Sequence, residues 1–146
     1  MKRLHDQSAL RLALGTVQLG MNYGIANRRG KPEKEEALGI LQYAVEAGIH
    51  CFDTAPSYGE SERTLGDFLS LLSRNHQATL RIVTKVSTFP DRLTNAELRD
   101  FVRNSIQSSL ENLRVPSVDT CLLHDFNSCL TYRNAVGSML RELKET

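Results

Sequence analysis

Four short apolar runs, each followed by a longer stretch of helical period, divide this 146-residue chain. A strand followed by a helix brings the chain back beside its own strand, so repetition of that pair builds a parallel sheet with helices packed outside it. The first run covers residues 12–17. It is followed over 35–48 by Ala37, Leu38, Leu41, Ala44 and Val45 on one helical face, with Gly48 where a helix would end. A second run, 49–53, precedes the set Leu65, Phe68, Leu69 and Leu72. The third, 80–84, precedes Thr94 and Glu97, a capping-box pair, and then Leu98, Phe101, Val102, Ile106, Leu110 and Leu113, which mark a helix of about five turns. Pro116 punctuates its end. The fourth run, 118–123, leads to a last helical pattern over 133–143 with Ala135, Val136, Met139, Leu140 and Leu143 inward. No linker or low-complexity segment interrupts the units, so the expectation is one α/β domain of the form (βα)₄ over 1–146.

Composition removes several functions. Hydrophobic residues make up 40% and charged residues 24%, an ordinary globular balance, and the formal charge of +1 is scattered. No basic stripe offers itself to a phosphate backbone, and nucleic acid is not an expected partner. The longest charge-free run, 12–27, contains Gln18, Asn22 and the glycines 15, 20 and 24, too polar and too short to span a bilayer. Lys2 and Arg3 mimic the start of a signal peptide, but Arg11 interrupts the chain before an apolar segment can build up, so the expected compartment is the cytoplasm. Three cysteines (Cys51, Cys121, Cys129) without close-set spacing suggest neither a disulfide framework nor a zinc site. Cys51 and Cys121 read as small apolar strand residues.

Parallel βα folds bind ligands where the strands finish, because the loops there collect side chains from several strands. The second run ends at Asp53 with Tyr58 five residues on, the third at Lys85, the fourth at His124. Taken singly these are a loop carboxylate, a packed ring with a wet tip, a snorkelling strand end and a satisfied imidazole. Taken together, at successive strand exits, they suit proton donation to a carbonyl oxygen as hydride reaches the carbon. A free tyrosine, with a pKa of about 10, is a reluctant acid unless a cation stabilises its phenolate. Lys85 would supply that cation, Asp53 would hold it, and His124 would hydrogen-bond and align the carbonyl.

The run Phe52-Asp53-Thr54-Ala55-Pro56-Ser57-Tyr58-Gly59-Glu60-Ser61-Glu62, continued by Leu65-Gly66, resembles the aldo-keto reductase signature, in which the Asp and the Tyr are catalytic. Ile82-Val83-Thr84-Lys85 is similar to that family's third strand with its catalytic lysine. Ser109, Leu110 and Leu113, then Val118-Asp119 and Leu122-Leu123-His124, resemble its third helix and fourth strand. Leu14-Gly15-Thr16-Val17-Gln18-Leu19-Gly20 is similar to the first strand. The stretch 21–27 looks most like bacterial members, some associated with sugar metabolism.

This resemblance implies the first half of a TIM (β/α)₈ barrel, about four βα units, and NADPH-dependent reduction of a small aldehyde or ketone to an alcohol. It implies catalytic roles for Asp53, Tyr58, Lys85 and His124, with Gly15, Thr16, Val17 and Asp53 beside the nicotinamide end of the cofactor. A whole barrel has eight strands and about 250 residues. In the family the second half supplies most of the cofactor pocket, so NADPH binding by this chain alone is expected to be weak and the isolated chain poorly active. A half barrel also exposes an apolar inner face, which is expected to draw two copies into a homodimer or else to drive aggregation. A non-catalytic association module descended from such an enzyme is therefore the competing reading. An aldolase-like Schiff base at Lys85 is a third, disfavoured because a lysine paired with Asp53 would be protonated and a poor nucleophile.

Overall fold

The computed structural model describes residues 12–144. Lys2, Arg3 and Arg11, together with the side chains of Cys129 and Leu143, lie outside the described residues. Strands β1 (Ala13–Gly15), β2 (Cys51–Asp53), β3 (Arg81–Val86) and β4 (Thr120–Leu123) form one parallel sheet whose order is the order of the chain. Helices α1 (Val17–Gly20) and α2 (Lys34–Glu46) follow β1, and α3 (Ser61–Leu71) and α4 (Arg74–Gln77) follow β2. Helix α5 (Asn95–Leu113) follows β3, while α6 (Phe126–Thr131) and α7 (Arg133–Lys144) follow β4. The α/β architecture of four βα units expected from the sequence is the one observed.

The boundaries differ for local reasons. β1 stops at Gly15 because the backbone N–H and the hydroxyl of Thr16 both turn onto the Asp53 carbonyl, at 2.9 and 3.0 Å, and Val17 opens α1 instead of continuing the strand. β3 runs on to Val86, which puts Lys85 inside the strand. β4 begins at Thr120 rather than near Val118: Asp119 donates its N–H to the Ile82 carbonyl while its carboxylate accepts the Ile82 N–H at 2.8 Å, so a side chain makes the bond that a strand backbone would make. Helices α1, α4 and α6 are four to six residues long. Segments that short display no readable period.

The long helices end as their residues require. After α2, Gly48 takes φ +87° and donates to Val45, and Ile49 donates to Ala44, the two bonds of a Schellman turn. At the head of α5 the Thr94 hydroxyl accepts from the Glu97 N–H at 3.3 Å and the Glu97 carboxylate accepts from the Thr94 N–H at 2.9 Å.

Alternation along the strands then sorts the faces. Phe52, Ile82 and Val86 enter the layer between sheet and helices, where Leu41, Leu65, Phe68 and Leu113 form one buried cluster and Leu98, Val102, Val136 and Met139 another. Each fully buried Phe or Leu contributes about 1.5–3 kcal/mol. The other face carries Gly15, Asp53, Val83 and Thr120 in one row of paired positions, with Lys85 beside Leu122 one step further up. Among the described residues no helix covers that face, and Leu122 remains 43% exposed.

Candidate active site

Asp53 closes β2, Tyr58 lies in the turn beyond it, Lys85 is the penultimate residue of β3, and His124 immediately follows β4 with its N–H donating to the Val86 carbonyl at 3.1 Å. The four sequence candidates converge. The Lys85 ammonium donates to Asp53 Oδ1 at 2.6 Å and to the Thr54 carbonyl at 3.0 Å, and it sits 4.8 Å from the centre of the Tyr58 ring. The His124 ring stands edge-on to Tyr58, centroids 5.7 Å apart. Its Nδ1 shares a hydrogen bond with the Ser57 hydroxyl at 3.2 Å.

The turn bearing Tyr58 is held by backbone contact. Tyr58 N–H donates to Ala55 and Glu60 N–H donates to Gly20, while Gly59 adopts φ +61°. Gly20, the last residue of α1, lies so close that a Cβ there would come within 2.0 Å of the Tyr58 carbonyl oxygen. Glu60 adds an ion pair with Lys31, whose hydrogen bond holds the Glu60 carboxyl below the ordinary glutamate range.

Beneath the polar group lies a second tier, of which only Thr16 was singled out from the sequence. Thr16, Thr54 and Ser61 are fully buried and bonded to one another through their hydroxyls. Glu62, 2% exposed, accepts from the Thr84 hydroxyl at 2.7 Å and from the Asn112 amide at 3.4 Å. The signal for Thr54, Ser61 and Glu62 was their place in the same run as Asp53 and Tyr58; Thr84 directly precedes Lys85. Burial pushes the Cys121 thiol up, and the Glu62 charge adds to it. Among the described residues no group of three or more His, Cys, Asp or Glu is placed to hold a metal.

Of the residues assigned to the nicotinamide end, Gly15 is exposed, and a Cβ on it would meet nothing within 4 Å. The Thr16 hydroxyl is already bonded to Asp53 and Ser61. Val17 is half-buried at the head of α1.

The model of the Aldo/keto reductase family matches residues 11–146. The chain belongs to that family. It is 36% identical over 115 residues to the D-arabinose 1-dehydrogenase of Saccharomyces cerevisiae, covering 78% of this chain and 32% of the yeast protein. A solved structure from Pseudomonas aeruginosa, described as an aldo-keto reductase, superposes with a TM-score of 0.69 at 29% identity over 91% of this chain and 50% of the other. The Bombyx mori aldo-keto reductase solved with NADP gives a TM-score of 0.54 at 27% identity, covering 77% of this chain and 33% of that one. The chain thus spans about a third of the length of the curated relative and half of the bacterial structure. Its four βα units correspond to half of a family barrel. Among the described residues no helix is long and apolar enough to cross a membrane.

Proposed function

We propose that Asp53, Tyr58, Lys85 and His124 form the proton-donating centre of an NADPH-dependent reductase of small aldehydes and ketones. The observation that carries this reading is the Lys85 ammonium, bonded to Asp53 at 2.6 Å and lying 4.8 Å from the Tyr58 ring centre. Tyr58 donates its hydroxyl proton to the carbonyl oxygen, and the adjacent positive charge stabilises the phenolate left behind. Asp53 keeps that charge in place. His124, with Nδ1 engaged by Ser57, has Nε2 left to donate to the same oxygen and align it.

NADPH, when bound, supplies the hydride. The open backbone at Gly15 suits a flat nicotinamide ring lying against the exit of β1, and the buried Thr16 and half-buried Val17 shape that surface from below. The name of the yeast relative speaks of a sugar, which favours a small hydroxylated carbonyl as substrate. The free thiols Cys51 and Cys121 suit a reducing, cytoplasmic setting.

Replacing Tyr58 by Phe tests the centre. In a complete protein of this type turnover should fall about 10²- to 10⁴-fold, the span of a general acid, while NADPH affinity is retained. Undiminished turnover would remove Tyr58 from the role.

The uncovered sheet face favours a second reading, a non-catalytic association module that pairs with another copy of itself. Leu122 on this face is 43% exposed. Fluorescence titration separates the readings, since a reductase must bind NADPH saturably and an association module need not.

A further inference from the structure

Ser61 is bonded to the segments that carry Asp53 and Tyr58. Its N–H donates to the Tyr58 carbonyl at 3.2 Å. Its hydroxyl donates to the Thr16 carbonyl at 2.8 Å and to the Thr16 hydroxyl oxygen at 2.6 Å, and it lies 3.2 Å from the Thr54 hydroxyl. All three hydroxyl-bearing residues are fully buried. Buried hydroxyls are held to their partners, because water is not there to replace a lost bond.

Counting protons gives this cluster a direction. Each hydroxyl has one proton to give. Thr16 gives its proton to the Asp53 carbonyl at 3.0 Å, so its oxygen is free only to accept from Ser61. The single Ser61 proton is shared between the Thr16 carbonyl and the Thr16 hydroxyl oxygen, so Thr54 is the donor in the remaining bond. The chain of donation runs Thr54 to Ser61 to Thr16 to the Asp53 carbonyl. Both ends lie on one dipeptide, Asp53-Thr54, and Lys85 grips that dipeptide from the other side through Asp53 Oδ1 and the Thr54 carbonyl. The result is a closed ring of bonds around the residues that hold the ammonium beside Tyr58.

We propose that Ser61 is a positioning residue which, through Thr54 and Thr16, fixes the Asp53-Thr54 dipeptide and so the place of the Lys85 ammonium relative to Tyr58. This rests on the reductase reading above, but its geometry can be tested without turnover. Loss of one bond from the ring lets the ammonium drift, and the effect falls on the step in which the Tyr58 proton moves rather than on substrate capture. Ser61→Ala leaves no buried orphan at the Thr16 carbonyl, which also accepts from the Leu19 N–H at 2.9 Å.

The test uses the full chain with three variants: Ser61→Ala, Thr54→Val and Thr54→Ser. Two readouts apply, kcat and KM for glyceraldehyde with NADPH, and the ¹⁵N-detected resonance of the Lys85 ammonium. Positioning predicts that Ser61→Ala and Thr54→Val each lower kcat about tenfold with KM nearly constant, and broaden or shift the ammonium signal. Thr54→Ser, which keeps the hydroxyl, restores both. A packing role predicts the reverse order at Thr54, because Val keeps the buried shape and Ser does not. Wild-type kcat and an unmoved ammonium signal in Ser61→Ala and Thr54→Val overturn the proposal, as does a loss of melting temperature alone. If the wild-type chain binds NADPH and still reduces nothing, the reductase reading fails and the Lys85 signal still decides the role of Ser61.

Discussion

Gly20→Ala tests whether the turn bearing Tyr58 is held by backbone contact. An added Cβ would lie 2.0 Å from the Tyr58 carbonyl oxygen and 2.3 Å from the Ser61 nitrogen, and both neighbours are main-chain atoms that cannot swing aside like a side chain. Restoring ordinary contact at 3.4 Å requires the Tyr58 carbonyl to retreat by about 1.4 Å. Overpacking of that kind costs about 1–3 kcal/mol, which for a domain of this size lowers the melting temperature by about 3–10 °C. Misplacing a reacting group by about 1 Å costs on the order of 10²-fold in rate. The assay is urea unfolding with a chevron control for two-state behaviour, alongside amide shifts of Tyr58 and Ser61 and NADPH-linked turnover. Gly39→Ala is the internal control: Gly39 lies on the exposed side of α2, a Cβ there meets nothing within 4 Å, and the variant should gain about 0.5–1 kcal/mol. Equal stability of the two variants, with the Tyr58 amide unmoved in Gly20→Ala, would refute the contact argument.

Acid should loosen the helical layer at Asp67, which bonds Lys34 of α2 and Arg114 beyond α5, both at 2.5 Å. The Lys34 hydrogen bond, aided by the Arg114 charge, holds the Asp67 carboxyl below its ordinary range; its contribution is therefore present above about pH 4 and lost as pH falls through the lower folded value. Melting temperature should drop over that window, and Asp67→Asn should flatten part of the drop. Lys85→Met should abolish most carbonyl reduction while the fold persists, and full activity in that variant would remove the ammonium from the chemistry. In light scattering after gel filtration the chain should run as a dimer or larger species because of its bare inner face and strand edges; a clean monomer with micromolar or tighter NADPH affinity would contradict this.

The order of elements and the convergence of Asp53, Tyr58, Lys85 and His124 were legible because each arises from local patterning: apolar strand runs, helical period and a polar residue at each strand exit. The Thr94–Glu97 box and the Gly48 turn were legible for the same reason. What the sequence hid was tertiary. Nothing near Val17 in the chain says that Thr16 will turn onto the Asp53 carbonyl, and the early start of a helix there depends on a residue 37 positions away. Thr54, Ser61, Glu62 and Thr84 read as small or polar residues of no particular burial, and only the bonding of Ser61 and Glu62 at the head of α3 to Thr16 and Thr84 makes them a buried hydroxyl and carboxylate layer. Ser57 escaped notice because its partner, His124, is 67 positions away.

Because the strand order is the chain order, every pairing in the sheet closes across a single intervening connection, and none waits for a distant segment. Each pairing still closes a loop of about 30 to 40 residues, but the sheet can grow one strand at a time from β1. During synthesis on the ribosome β1 and β2 can pair as soon as both have emerged, and the Asp53 carbonyl is held by Thr16 before any cation is available. Lys85 arrives with the third strand and finds its two acceptors already in position; His124, arriving with the fourth, completes the group. The emerging chain thus acquires its reactive residues in the order of translation, on a platform that each addition extends without rearranging.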